Sequence, residues 1–456
     1  MQLKFDFSNM YPAAIGAEQG IDPAGFRRSA SEIAAAHAAV VGNRGKGWQE
    51  WTELPFSQDE AVADIIDYAK SVRGRFDSVV VFGIGGSALG PLTVAYSLLH
   101  LHHNELPKRL RKAPKYYIED NVDPERMAAL LDVIDPAKTL FNVVTKSGET
   151  SETLSQFLIV LDILKAKTGA DFAKNIVVTT TKGKGTLYEA AVRLGLKTFG
   201  VGKGVGGRFS VLSPVGLLPF ALLGLDIKKI LKGARAFSKS AFSKNIDLNP
   251  ALASAFLQTE SMRRGKNISV LMPYADSLKY MADFYCQIWG ESLGKAVDLR
   301  GNTVHAGQTP AKALGVTDQH SQIQLYTEGP FDKVVTFIGV EAFRKSVTIP
   351  QVPGFDGISF LQNKTLDTLI NAERVATAFA LTKAQRANFT ITLPAVTPET
   401  VGELLAYFMY ETAFTGALLR VDTYNQPGVE EGKLATFAML GRKGYEDKLA
   451  EIKAVR

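Results

Sequence analysis

One cysteine, Cys286, stands in 456 residues, which excludes an intrachain disulfide and any cysteine-rich metal site. Histidine is scarce too, six in all. Three of them, His100, His102 and His103, sit together in a polar loop whose setting does not suggest metal binding. No window reaches the roughly 18 apolar residues of a membrane span. Met1 to Phe7 lack the apolar stretch and small-residue cleavage site of a secretory signal. These absences predict a cytoplasmic protein with no membrane partner. Runs of lysine and arginine interleaved with aromatics are also missing, so nucleic acid is not an expected partner. Short basic groups such as Arg109 to Lys112 read as solvated helix ends.

What is present describes a soluble globular protein with a sizeable core: 46% hydrophobic and 21% charged residues. The net charge of +6 and pI near 9.0 suit an anionic small-molecule substrate. The length predicts about two to four domains. Cys286, within Phe284 to Ile288, reads as a core residue.

Residues 1–40 read as a helical, alanine-rich entry, from Ala34 to Ala39 above all. From about Asp77 to Pro214, short apolar or β-branched runs alternate with helical segments. The strand candidates are Ser78 to Phe82, Lys115 to Ile118, Leu140 to Val144, Asn175 to Thr179 and Lys197 to Val201. Continuous runs of this kind are the mark of parallel strands buried on both faces. The pattern resumes with Asn267 to Met272, Lys333 to Ile338 and Asn388 to Leu393. The alternation predicts an α/β protein with two doubly wound, parallel-rich domains flanked by helices. Their expected bounds are 41–215 and 216–420, with a terminal helical segment at each end (1–40 and 421–456). Val215 to Lys232 is expected to form one apolar connecting helix.

The segment Thr145 to Thr153 (Thr-Lys-Ser-Gly-Glu-Thr-Ser-Glu-Thr) follows a buried-strand pattern. It precedes Leu154, Phe157, Leu158, Leu161 and Leu164, spaced as on an amphipathic helix. A strand, a hydroxyl-rich turn and a helix together aim free backbone N–H groups and a helix dipole at one spot, which suits a phosphate. Thr145, Ser147, Thr150 and Ser151 add hydroxyls, and Lys146 adds a charge. The same residues also suit a plain helix cap.

Phe82 to Pro91 (Phe-Gly-Ile-Gly-Gly-Ser-Ala-Leu-Gly-Pro) is a glycine loop able to nest an anion. It also fits the loose dinucleotide pattern at Gly83, Gly85 and Ala88. The acidic residue of that pattern lies about 20 residues on. Glu119 and Asp120 come well beyond that spacing, so no nicotinamide cofactor is expected. In Gly202 to Ser210, Arg208 sits on a flexible turn where its guanidinium could fork onto an oxyanion or lie at the surface.

Met281, Phe284, Tyr285, Ile288 and Trp289 form one helical stripe, with Glu291 at its flank. A carboxylate so placed is partly desolvated, which raises its pKa and suits a general base; a salt-bridged boundary residue fits the position too. His320, in a polar stretch before an apolar one, suits either a catalytic imidazole or a structural hydrogen bond. Nothing local separates His305 from a surface residue, or Lys433 from a capped helix start.

The order of these signals along the chain carries more than any one of them. Gly83 to Ser87, Lys146 to Thr150, Gly206 to Arg208, Gly290 to Lys295, Gln319 to Gln324 and Gln426 to Lys433 together resemble the glucose-6-phosphate isomerase (phosphoglucose isomerase) family, in its shorter bacterial form. That resemblance covers about residues 80 to 435. It implies two sugar-isomerase (SIS) domains in a homodimer, acting on glucose 6-phosphate and fructose 6-phosphate through a cis-enediolate, with no cofactor and no metal. By the resemblance Ser87, Gly86, Thr145, Lys146, Ser147, Thr150, Gly207 and Gln426 bind substrate. Glu291 is the base between C1 and C2, Arg208 stabilises the enediolate, and His320 and Lys433 open the sugar ring. His320 is expected to reach the active site of the neighbouring subunit. Glu149 departs from the family pattern, where a hydroxyl residue is commoner, and would repel a phosphate unless it points away or caps the helix. Asn425 to Pro427 also varies around the C-terminal motif. Competing readings are a relaxed isomerase that also takes mannose 6-phosphate, a non-catalytic phosphosugar sensor and a nicotinamide dehydrogenase. The sensor would not need Glu291, His320 and Lys433 together.

Overall fold

The computed structural model describes residues 1–455. Among them the strands are β1 (Lys4–Asp6), β2 (Ser78–Phe82), β3 (Lys115–Glu119), β4 (Thr139–Val144), β5 (Ile176–Thr180), β6 (Lys197–Gly200), β7 (Ile268–Pro273), β8 (Lys295–Val297), β9 (Thr303–Ala306), β10 (Thr309–Lys312), β11 (Lys333–Ala342) and β12 (Asn388–Ala395). All eight strand candidates are present. The additions are β1, the antiparallel pair β8–β9 and the edge strand β10.

The first sheet is wholly parallel, in the order β3-β2-β4-β5-β6. β2, β4 and β5 are buried along their whole length, as expected of strands covered on both faces. The chain steps outward from β2 to β3, then returns to β4 and proceeds the other way. This reversal lies between β2 and β4. In such sheets a ligand crevice opens beyond the carboxyl ends of the strands that flank the reversal.

The second sheet has the order β1-β12-β11-β7-β10, parallel except for β1. The entry segment is therefore not only helical. It lends an edge strand to this sheet, pinned where the amides of Gln2 and Leu3 donate to the buried Glu403 carboxylate at 2.7–3.1 Å. The helix Ala30–Val41 contains the alanine-rich run. Together the two sheets and their covering helices make the α/β architecture that the alternation predicts.

The expected single connecting helix is two, Pro214–Leu222 and Ile227–Ala241. Gly224 takes a φ of +75° between them, and the Asp226 side chain accepts the Lys229 N–H at 3.1 Å to cap the second. The first of the pair is buried from Pro214 to Phe220 without a polar side, so no periodicity marked its end. The helix Pro398–Leu418 is buried almost throughout. It meets Ile227–Ala241 backbone to backbone: a Cβ on Gly402 would stand 2.0 Å from the Ile230 carbonyl oxygen.

One helix from the second half carries the chemistry to the first sheet. Lys279–Leu293 buries Met281, Phe284, Tyr285, Ile288 and Trp289, the stripe read from the sequence. It lies against Gly86–Leu98, the helix after β2. There Thr93 Oγ1 donates to the Tyr280 carbonyl at 2.8 Å and the Tyr96 and Tyr280 rings meet edge-on at 4.8 Å. Cys286, expected in the core, is only partly covered because it faces away from that stripe. Burial still pushes its thiol up to about 11.

Candidate active site

β4 ends at Val144, the chain turns through Thr145 to Thr150, and the helix Ser151–Thr168 begins. Gly148 makes the turn with a φ of +75°. Thr150 is the residue preceding the helix, yet its side chain makes no capping bond. Its hydroxyl lies instead 2.6 Å from Thr145 Oγ1, which is 3.3 Å from Ser147 Oγ. The hydroxyls thus gather inside the turn, and the first helical N–H groups are left without a side-chain cap. That arrangement suits an oxyanion better than a plain cap.

Glu149 does point away. Its carboxylate accepts the backbone N–H and the hydroxyl of Thr186, both at 2.8 Å, at the start of the helix Gly185–Arg193. Those two bonds hold its pKa below the usual carboxylate range. Its charge is directed at a neighbouring helix rather than at the turn.

Phe82 pairs with Val143 across β2 and β4, so the loop Gly83 to Ser87 and the turn Thr145 to Thr150 leave the sheet side by side. The glycines of the loop admit close neighbours. A Cβ on Gly86 would stand 2.0 Å from the Gly207 carbonyl oxygen, and one on Gly85 2.8 Å from Gln287 Nε2. The first fact packs the two glycine loops together and brings Arg208 with them. The second places Gln287 on the rim of the loop, one helical turn before Glu291.

Arg208 is buried, and its guanidinium is fully engaged. Nε donates to Ser292 Oγ at 2.7 Å, and Nη1 donates to Glu291 Oε2 at 3.2 Å and Gln426 Oε1 at 2.9 Å. Nη2 donates to the Thr423 and Asn425 carbonyls at 2.5 and 3.1 Å. Burial pulls the Arg208 pKa down, and the Glu291 charge opposes it. Arg208 is therefore not a surface residue; it ties the second glycine loop, the Glu291 helix and the C-terminal turn into one cluster. Glu291 keeps about a third of its side chain exposed, with Oε1 accepting from Gln287 Nε2 at 3.0 Å. Its own carbonyl accepts from Lys295 Nζ at 2.6 Å. Lys295 also reaches the Ser292 carbonyl, closing the helix end, and burial pulls its ammonium down to about 8.

Two expected participants stand outside this cluster. Among the described residues, the hydrogen bonds of Arg208 and Glu291 do not include His320 or Lys433. His320 ends a short turn of helix and is exposed, while the neighbouring Gln319 is held by Tyr274 and Thr377 at 2.9 and 2.8 Å. Lys433 is exposed on Glu430–Met439 and pairs with Glu430 at 2.7 Å. Of the remaining histidines weighed, His103 bonds the Pro114 carbonyl and His305 is exposed. Glu119, at the end of β3, is ion-paired with Arg126 at 2.8 Å, so the carboxylate of a dinucleotide site is already engaged.

Trp48, which no motif marks, also belongs to the site. Its exposed ring lies under the Lys146 ammonium, 4.2 Å from Nζ to centroid, a cation–π contact. Gln49 bridges to Val205, and the Gly204 N–H donates to Glu50 Oε2 at 3.0 Å. Trp51 then stacks on Phe209 at 4.9 Å, beside Arg208. Trp48 to Trp51 is thus a strap running from the phosphate-type turn to the arginine. Burial, then the charge of Lys184, pulls Lys146 down to about 8, against an opposing pull from Glu50. The only hint in the sequence is a tryptophan after a glycine–basic stretch, Arg44-Gly-Lys-Gly-Trp48.

Comparison with known proteins agrees with this architecture. The family model described as phosphoglucose isomerase matches residues 67–443. The glucose-6-phosphate isomerase of Carboxydothermus hydrogenoformans is 50% identical over 457 residues, covering 100% of this chain and 98% of that protein. That of Thermus thermophilus is 40% identical over 386 residues, 85% of this chain and 88% of that protein. Among solved structures, a hypothetical protein from Thermus thermophilus superposes with a TM-score of 0.87 at 36% identity, over 96% of this chain and all of that one. A glucose-6-phosphate isomerase from Chlamydia trachomatis, at 21% identity and a TM-score of 0.79 over 95% of this chain and 88% of that one, shares the fold. The match to the family model and the full-length relatives place this chain in the phosphoglucose isomerase family.

Proposed function

We propose that this protein is a glucose-6-phosphate isomerase, interconverting glucose 6-phosphate and fructose 6-phosphate through a cis-enediolate, and that the cluster around Arg208 is its active site. The observation that carries the reading is the half-open Glu291 carboxylate beside the buried Arg208 guanidinium, one helical turn from the glycine loop that adjoins the hydroxyl-lined turn. In this reading Thr145, Lys146, Ser147, Thr150 and Ser87, with the backbone at Gly86 and Gly207, hold the phosphate. Grip on that remote group positions the open-chain sugar at Glu291. Glu291 takes the proton from C2 of the aldose and returns it to C1. Arg208, fixed by its carbonyl and amide partners, steadies the charge that develops on the enediolate oxygens. Gln426, bonded to the same guanidinium, reaches the sugar hydroxyls.

His320 and Lys433 serve ring opening. Their exposure is what a homodimer requires if His320 enters the neighbouring subunit's site and the C-terminal helix closes over bound substrate. No helix among the described residues is long and apolar enough to cross a membrane. We assign the enzyme to the cytoplasm, at the hexose phosphate step of glycolysis and gluconeogenesis. A coupled assay on the purified protein, run with glucose 6-phosphate and a chelator present, tests the assignment. Sustained turnover is expected. No turnover with or without the chelator would overturn the reading, and turnover that chelation removes would overturn the metal-free mechanism.

A further inference from the structure

At the amino-terminal ends of β7, β11 and β12, three cationic side chains converge on one small cavity. Lys266, Lys333 and Arg386 line it with Phe331, and the three cations are only 3%, 9% and 9% exposed. Their partners do not balance them. Lys333 pairs with Asp332. Lys266 Nζ donates to the neutral Gln19 Oε1 at 2.7 Å. The Arg386 guanidinium lies 3.7 Å over the Phe331 ring, while its Nε and Nη1 are buried with no hydrogen-bond partner among the described residues. Lys266 Nζ is 5.9 Å from the centroid of the same ring. Asp332 acts on all three cations and Glu18 on Lys266, against the further charge of Arg264.

Leaving cations buried and incompletely paired is costly, and orphaned N–H donors add to the cost. One small negative guest would relieve both at once. The space open to the centre of a water-sized sphere is about 10 Å³, so one compact ion fits with little room to move, while a tetrahedral oxyanion would be crowded and a sugar excluded. We propose that this cavity is a structural binding site for a monatomic anion, a halide such as chloride, bound between Arg386 and Lys266. The site lies at the opposite ends of these strands from those where a sheet of this kind takes its substrate. Its occupancy therefore acts on the stability of the second sheet and not on the chemistry.

Crystals of the full chain grown in sodium bromide test this by anomalous diffraction. A bromide peak within hydrogen-bonding distance of Arg386 Nη1 is expected. A water without anomalous signal would overturn the proposal. In solution, replacing acetate by chloride at constant ionic strength should raise the unfolding midpoint saturably, by at least about 1 °C. Arg386→Met should remove that saturable rise. An identical response in chloride and acetate would contradict the site. If Arg386→Met does not fold, the bromide measurement on the unaltered protein still decides.

Discussion

Arg208 donates to the Glu291 carboxylate at 3.2 Å while its other donors are held by Ser292, Gln426 and two backbone carbonyls. The cation is thereby fixed before any negative charge develops, and the carboxylate beside it stays reachable. Lysine, a single point charge, cannot reproduce this fork. Arg208→Lys should lower kcat by roughly 100-fold or more and lower the unfolding midpoint, because Gln426 and the Thr423 turn lose their anchor. Steady-state kinetics together with thermal melts check both halves.

Trp48 supports Lys146 from outside the phosphate turn. Trp48→Ala should raise KM several-fold with little change in kcat, since a group acting through Lys146 affects binding in ground and transition states alike. Trp48→Phe, which keeps a ring face, should restore most of the affinity. Trp51 and Trp289 are buried, so fluorescence sensitive to added inorganic phosphate should come from Trp48 and vanish in either variant.

The Lys146 ammonium, held at about 8 chiefly by burial, gives phosphate binding a definite pH dependence. A cation with a lowered pKa loses its charge as pH rises through that value. Inhibition by inorganic phosphate should therefore weaken above about pH 8. Lys146→Arg should flatten this decline, as arginine remains charged. Inhibition constants measured from pH 6.5 to 9.5 decide the point.

A second titrating group affects stability alone. Glu411 is buried in the helix Pro398–Leu418, where it accepts from Ser254 Oγ, and burial pushes its carboxyl from 4.5 up to about 7. A raised acid pKa means the folded state binds more protons than the unfolded chain between those two values. Its stabilising contribution is therefore present below about 4.5 and lost as pH rises to about 7. At 1.36 kcal/mol per pKa unit the loss is of order 3 kcal/mol. Glu411→Gln should remove this slope, so the difference in melting temperature between variant and wild type should shift in favour of the variant from pH 4.5 to 7.5.

How far the sequence disclosed this depended on whether a feature was local. β2, β4, β5, β7 and β11 were legible because buried parallel strands read as near-continuous apolar runs, and β12 because Phe389, Ile391 and Leu393 alternate with half-covered threonines. β1 is only three residues long and β10 contains Pro310, so neither forms such a run. The break at Gly224 does have a local signal, the capping Asp226 between an all-apolar run and an amphipathic one, and it was passed over because the run before it has no polar side to mark an end. In the site, Arg208, Glu291 and Gln426 were picked out by motif order, and the structure brings them together. Trp48 and Gln287 were missed because their roles arise only where distant segments meet. Lys295 lay inside a quoted motif, but its task, closing a helix on the Glu291 and Ser292 carbonyls, is invisible without the helix end. The Glu149 carboxylate looked hostile to a phosphate only until Thr186 appeared beside it.

Whether Glu291 moves the proton is decided by the turnover of Glu291→Gln alongside its affinity for a phosphosugar. The near-isosteric amide can still accept from Gln287 and face Arg208, so binding measured by calorimetry should remain within a few-fold of wild type. Its kcat should fall by roughly 1,000-fold or more, since an amide cannot act as a base. Turnover within tenfold of wild type, with binding intact, would contradict that role for Glu291.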